Sequence, residues 1–306
     1  MKRAFDILVV GELNPDLILS GDVIPAFGQV EKMVDSASLV VGSSAAIFAC
    51  GAARLGMKVT FVGKVGKDIF GDFMLSQLSA RGIDISHIIR DPNINTGLSV
   101  ILNRGNDRAC LTFPGTIPEL RFGEIPTSLL KDTRHMHLAS YFIQSALQPD
   151  VPALFDLAHQ YNVTTSLDTN YDPFETWNGG LKEVLKRCDI FLPNAVEALA
   201  ITHAKNVQAA LNTSTGSAKT VAIKLGAEGA IASDGSQRVS SPSLKIPIVD
   251  TVGAGDTFDA GFIYGCLTGW DLKKSLRLAC ICGSLSTRQT GGTSAQPSLA
   301  EAIEFF

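Results

Sequence analysis

The sequence lacks a basic excess: its 26 Lys and Arg are outnumbered by 30 Asp and Glu, for a net charge of −4 over 306 residues. Nucleic acids and anionic membranes both need a positively charged face, so neither is expected as a partner. Cysteine is sparse and unpatterned. The six, at 50, 110, 188, 266, 280 and 282, show no zinc-knuckle spacing and read as reduced core thiols. A membrane-spanning run is also missing. The uncharged stretch 36–53 is about long enough, but it holds four Ser and two Gly among few large apolar residues. The apolar start is broken by Asp6 and reads as a first strand, not a signal peptide. No repeat, low-complexity tract or linker divides the chain. What these absences leave is a soluble, cytoplasmic protein whose 45% hydrophobic content is ample for a large core.

Short Val/Ile/Leu runs alternate with longer helix-like segments, the pattern of an α/β fold: a mainly parallel sheet with helices on both faces. Strands are expected at 7–10, 59–62, 135–138, 164–167, 190–192 and 220–224. Helices are expected at 44–55, 71–81, 152–161, 194–202, 257–268 and 273–287. Residues 13–36 and 95–121 break the alternation. They read as short strands with turn signals, such as Asn103-Arg104-Gly105-Asn106. Two such insertions can pair as a small β-sheet lid that excludes water from a reaction. The expected division is a large α/β domain of 1–12, 37–94 and 122–306, with the lid at 13–36 and 95–121.

The sharpest motif is Asp250-Thr251-Val252-Gly253-Ala254-Gly255-Asp256, which runs into an apolar helix. Glycines at 253 and 255 let the backbone curl so that successive N–H groups point one way. The first helical turn leaves its N–H groups unpaired and carries partial positive charge. Together these form a site for a phosphate or a developing oxyanion, beside which Asp256 could take a proton from an attacking hydroxyl. An ordinary helix start with Asp as cap fits the same residues. Phe258 stands where a dinucleotide fingerprint would need its third Gly, and no strict Walker A spacing occurs. Asp16, just past a strand end, suits a sugar diol or a simple turn. Lys224 suits a phosphate contact or a solvated strand end. His135 and His137 share one strand face and read as ordinary strand histidines.

The motif closely resembles the C-terminal signature of the ribokinase-like (PfkB) carbohydrate kinase family, and further landmarks follow in that family's order. Gly11-Glu12-Leu13-Asn14-Pro15-Asp16 looks like the opening strand with its Asn-x-Asp. Residues 42–56 look like the N-terminal signature. Gly63-Lys64-Val65-Gly66-Lys67-Asp68-Ile69-Phe70-Gly71, Asn194-Ala195-Val196-Glu197 and Lys224-Leu225-Gly226-Ala227-Glu228-Gly229 match later segments. The resemblance implies ATP and Mg2+ as cofactors and a sugar or nucleoside as acceptor. Asp256 would be the base, with the amides of Gly253, Ala254 and Gly255 stabilising the transferring phosphoryl group. Asn14, Asp16, Gly42, Ser43, Ile47, Phe113 and Asn170 would face the acceptor. Asn194, Glu197, Lys224, Gly226, Gly229 and Cys280 would face the nucleotide, Glu197 reaching magnesium through water. Asp250 and Val252, with the tail loop at 291–294, resemble a monovalent-cation (K+) site. Edge strands in the lid could pair across a homodimer.

The sequence departs from the family at Ser43, where a second Gly is usual, and at Ile47, where an Asn normally bonds a substrate hydroxyl. An apolar side chain makes no such bond, so ordinary ribose in the usual pose is not expected. Asp172 stands where Arg is frequent, which disfavours acidic acceptors. Cys280 replaces an Asn often found near adenine. Three readings stay open: a sugar kinase, a nucleoside kinase using Phe27 or Phe113 to stack a base, and a non-catalytic sugar or nucleotide sensor.

Overall fold

A computed structural model describes residues 3–104 and 107–306. Gly105 and Asn106, in the expected hairpin turn, lie outside the described residues. The chain opens with β1 (Phe5–Val10), β2 (Pro15–Ser20) and β3 (Ser36–Val41), followed by α1 (Ser44–Arg54). Next come β4 (Val59–Val62), β5 (Lys64–Gly66), α2 (Ile69–Ala80), β6 (Ile89–Asp91), β7 (Leu98–Arg104) and β8 (Asp107–Phe113). Then α3 (Thr127–Asp132), β9 (Thr133–Leu138), α4 (Val151–Gln160), β10 (Thr164–Leu167), α5 (Leu181–Leu185) and β11 (Ile190–Phe191) alternate. The last part holds α6 (Ala195–Thr202), α7 (Val207–Thr215), β12 (Thr220–Lys224), β13 (Ala230–Ser233), β14 (Arg238–Ser241), α8 (Ala254–Leu267), α9 (Leu272–Ser286) and α10 (Leu299–Ile303).

The main sheet has eight strands in the order β14-β13-β12-β11-β10-β9-β1-β4. All pairings from β12 to β4 are parallel, while β13 and β14 add an antiparallel edge. Residues 7–10 of β1 are apolar without a break because helices cover both faces. Their alternation assigns them to two cores: Ile7 and Val9 pack with α1, α8 and α9, whereas Leu8 and Val10 pack with α4 and α5.

A separate four-stranded sheet has the order β3-β2-β7-β8. It takes in β3, of which the sequence division gives only residue 36 to the lid and residues 37–41 to the large domain. The uncharged stretch 36–53 is thus a strand of this sheet followed by α1. His135 and His137 are buried on β9 and bonded to hydroxyls: His135 to Thr164 at 2.8 Å and Ser166 at 2.7 Å, His137 to Ser166 at 2.7 Å. They are strand histidines, now with identified partners. No helix among the described residues is long and apolar enough to cross a membrane.

Candidate active site

The strand order reverses at β1, which has β4 on one side and β9 on the other. Ligands of open α/β sheets bind beyond the carboxyl ends of the strands at such a switch point. A cavity of about 970 Å3 lies there, lined by loops after β1, β9, β10 and β12, by β7 and β8 of the small sheet, and by the start of α8.

Gly253 starts α8 in a left-handed conformation, φ 71°, as its N-cap. That conformation turns the chain into the helix and leaves the Gly255 and Asp256 amides without intrahelical acceptors. A methyl at Gly253 would lie 2.6 Å from Gly292 Cα and 2.8 Å from Ile47 Cγ2, so the turn is closed from behind. Gly253, Ala254, Gly255 and Asp256 all line the cavity, as does Val252. Burial, reinforced by Asp168, pushes the Asp256 carboxyl up to about 8, against the pull of Lys224.

Lys224 is no solvated strand end. Its ammonium donates to Asp168 Oδ2 at 2.8 Å and to the two Asp259 oxygens at 3.1 and 3.2 Å. Burial opposes its charge, but these two carboxylates hold it firmly protonated. It still lies beside the anion turn, since a methyl at Gly255 would be 3.5 Å from Lys224 Nζ. Burial raises Asp259; at Asp168 burial is also the largest single influence, but the Lys224 charge together with hydrogen bonds from Asp259, Lys224 and Asn170 N holds that carboxyl down. One carboxylate oxygen each from Asp168, Asp256 and Asp259 falls within 4.8 Å of the others.

On the side expected to face the nucleotide, Asn194 caps α6 in a reciprocal box. Its side chain accepts from Glu197 N at 2.9 Å, and Glu197 Oε2 accepts from Asn194 N at 2.9 Å. Burial and the nearby Asp168 raise Glu197 to about 7. Gly226, Gly229 and Cys280 also line this half. The Cys280 thiol donates to Ser241 O at 3.5 Å, a weak replacement for an amide.

On the other side lie Asn14, Asp16, Ser43, Ile47 and Asn170. Burial lifts Asp16 to about 7, with Arg108 opposing. Gly42 does not line the cavity. A methyl there would fall 2.1 Å from Asp16 Oδ1, so its role is to let that carboxylate lie against the backbone. Phe113 is also outside: on β8 the residues that line the cavity are Arg108, Cys110 and Thr112, and period-two alternation turns Phe113 away. Phe27 is 98% exposed. Asp172 faces its own loop, accepting from Phe174 N, Thr176 N and Oγ1, and Trp177 N. The expectation that it repels acidic acceptors therefore loses its basis. Asp250 is not a lining residue either; its oxygens accept from Val252 N at 3.0 Å and Gly291 N at 2.9 Å.

Sequence reasoning missed Glu12, Ser140, Arg108, Asp168 and Asp259. Asp259 was within reach, because it lies one helical turn after Asp256. The others are brought in by pairings between distant segments, which carry no local signal.

The profile of the pfkB family of carbohydrate kinases matches residues 4–299. The chain is 30% identical over 233 residues to a protein of Archaeoglobus fulgidus described as an uncharacterised sugar kinase, covering 74% of this chain and 90% of that one. It is 28% identical to the 5-dehydro-2-deoxygluconokinase of Geobacillus thermodenitrificans, covering 99% and 94%. In structure it is similar to a candidate Ribokinase II from E. coli in complex with ATP and Mg2+, with a TM-score of 0.87, 24% identity and 98% of each chain covered. That last likeness establishes the fold. The ordered landmarks, the sheet topology and the family match converge on one assignment: this chain belongs to the pfkB family of carbohydrate kinases.

Proposed function

We propose that the protein transfers the γ-phosphoryl group of ATP to a hydroxyl of a sugar-like acceptor, with Asp256 as the base. One observation carries this reading. Asp256 sits at the unpaired first turn of α8, in a single cavity that places Asn14 and Asp16 on one side and Asn194 and Glu197 on the other. Phosphoryl transfer asks for positioning and charge stabilisation, with little covalent work from the protein. Asp16, Asn14 and Asn170 orient the acceptor, and Asp256 takes its proton. The amides of Gly255 and Asp256 face the charge that develops on the transferring group. Lys224, held by Asp168 and Asp259, adds a fixed positive charge beside that turn.

Glu197 is 3% exposed, and Asn194 already donates to its carboxylate. That chemistry suits a magnesium ion held through water, as opposed to direct ligation. Magnesium bound with the nucleotide would supply charge neutralisation at the phosphate oxygens. The small sheet acts as the lid of this site. Its edge strands β3 and β8 have no further partner among the described residues, which supports pairing with a second copy of the chain. Light scattering on the purified protein tests the dimer.

A sugar is favoured over a nucleoside because Phe27 and Phe113, the expected stacking residues, lie outside the cavity. Asp256→Asn is expected to lower turnover by roughly 10²–10⁴ while ATP binding is kept. Turnover at the wild-type rate in the purified variant would overturn the role of Asp256.

A further inference from the structure

Glu12 follows β1 and Ser140 follows β9, so the two stand side by side at the switch point of the sheet. Ser140 Oγ donates to Glu12 Oε1 at 2.9 Å, and Asn170 Nδ2 donates to Ser140 Oγ at 2.7 Å. Ser43 Oγ donates to the Glu12 main-chain oxygen at 2.6 Å, and Ala45 N to Oε1 at 3.4 Å. Glu12 thereby ties together the loops after β1, β9 and β10 and the start of α1.

The three residues it gathers share a second property. Ser43, Ser140 and Asn170 all have positive φ, at 66°, 55° and 53°, and none is glycine. Such conformations are unfavourable for Ser, less so for Asn, and persist where the surroundings over-determine them. All three line the cavity, as Glu12 does. Glu12 is itself an expensive choice. It is 3% exposed, and its Oε2 is buried with no hydrogen-bond partner among the described residues. Capping α1 does not require it, because Ser43 Oγ already accepts from Ala46 N at 3.0 Å.

From this geometry we propose that Glu12 is a positioning residue for the acceptor half of the site, its carboxylate holding Ser140, and through it Asn170, in the positive-φ conformations that set which acceptor is bound. The resulting wall presents two hydroxyls and an amide, a surface suited to a neutral polyhydroxylated molecule. Asn170 commits one amide hydrogen to Ser140 and keeps its second N–H and its carbonyl oxygen for the acceptor.

The proposal rests on the phosphoryl-transfer reading above, and the two fail separately. The Asp256→Asn assay addresses that reading, whereas the present test is a split between two Michaelis constants. The full-length protein is assayed with ATP and the best acceptor from D-ribose, D-fructose, D-glucose and adenosine. Ser140→Ala and Glu12→Leu are each expected to raise the acceptor KM by roughly tenfold, the worth of about one buried hydrogen bond. The ATP KM should stay within about twofold, because no side chain assigned to the nucleotide bonds to Glu12 or Ser140. Glu12→Gln keeps an oxygen for Ser140 and Ala45 and should stay near wild type. The double variant should lose less than the product of the single losses. If Glu12→Leu does not fold, Ser140→Ala and Glu12→Gln decide the matter. An unchanged acceptor KM in Ser140→Ala, or parallel rises in both KM values with a fall in Tm, overturns the proposal and leaves Glu12 a packing residue.

Discussion

Lys224 Nζ lies 2.8 Å from Asp168 Oδ2, across 56 residues of chain, and 3.1 Å from Asp259 Oδ2. The Lys224 side chain is 11% exposed and the two aspartates almost wholly buried. Removing one partner of a buried pair leaves uncompensated charge, which costs about 3–5 kcal/mol. Lys224→Met is therefore expected to lower unfolding free energy by about that amount in urea titration. Adding Asp259→Asn to it should restore part of the loss. A Lys224→Met protein as stable as wild type would contradict the ion-pair account.

Asp256 makes two opposite demands on pH. Its carboxyl titrates near 8, raised by burial first and Asp168 and Glu12 next, and lowered by Lys224. If Asp256 acts as the proposed base it must be unprotonated, so kcat/KM should fall about tenfold per pH unit below 8 and level off above it. Stability runs the other way. Unfolded, the group titrates near 3.8, so between 3.8 and 8 the native state binds the extra proton. Raising the pH across that window removes stability from the wild type. Asp256→Asn carries no such proton. Its Tm advantage should grow from pH 4 to 8 and then stay constant; a difference independent of pH would contradict the burial of this carboxyl.

The anion turn tolerates no side chain at residue 253. A methyl there meets Gly292 Cα at 2.6 Å and Ile47 Cγ2 at 2.8 Å, on a backbone with φ 71°. Gly253→Ala is expected to destabilise by about 1–3 kcal/mol and to lower kcat at least about tenfold. Combining it with Ile47→Ala removes one clash but not the backbone one, so activity should not return. Steady-state kinetics on the single and double variants check this.

A monovalent-cation requirement is a separate expectation. Asp250 joins the loop at 250–252 to the tail at Gly291, next to the anion turn. If K+ binds between these segments, replacing KCl by choline chloride at equal ionic strength should lower kcat, and Asp250→Ala should abolish the difference. Equal rates in the two salts would remove K+ from the site.

Most of the secondary structure was legible in the sequence, because each element announces itself over a few residues. The expected strands at 59–62, 164–167 and 220–224 coincide with β4, β10 and β12. The expected helices at 44–55 and 273–287 coincide with α1 and α9 to within a residue at either end. The antiparallel edge of β13 and β14 and the short helices α3, α5, α7 and α10 were not anticipated. The helices α3, α5 and α10 span only 6, 5 and 5 residues, too few for a period to stand out, and the nine-residue α7 is largely polar, with Thr, Ser, Asn and Gln between its apolar positions.

The site divides along the same line. The sequence by itself determined the turn into α8: two glycines, a following helix and Asp256 are adjacent in the chain, and helix-terminus physics needs nothing distant. It also determined the family, through landmarks in a fixed order. Only the tertiary structure decided that Lys224 is bound between Asp168 and Asp259, that Phe113 faces away while Thr112 faces in, and that Ile47 closes the back of the Gly253 turn. It likewise decided that Glu12 meets Ser140, 128 residues away. These relationships depend on strand order and on the register of side chains across it. Periodicity along one segment fixes which face of that segment is buried, but carries no information about which distant segment is packed against it.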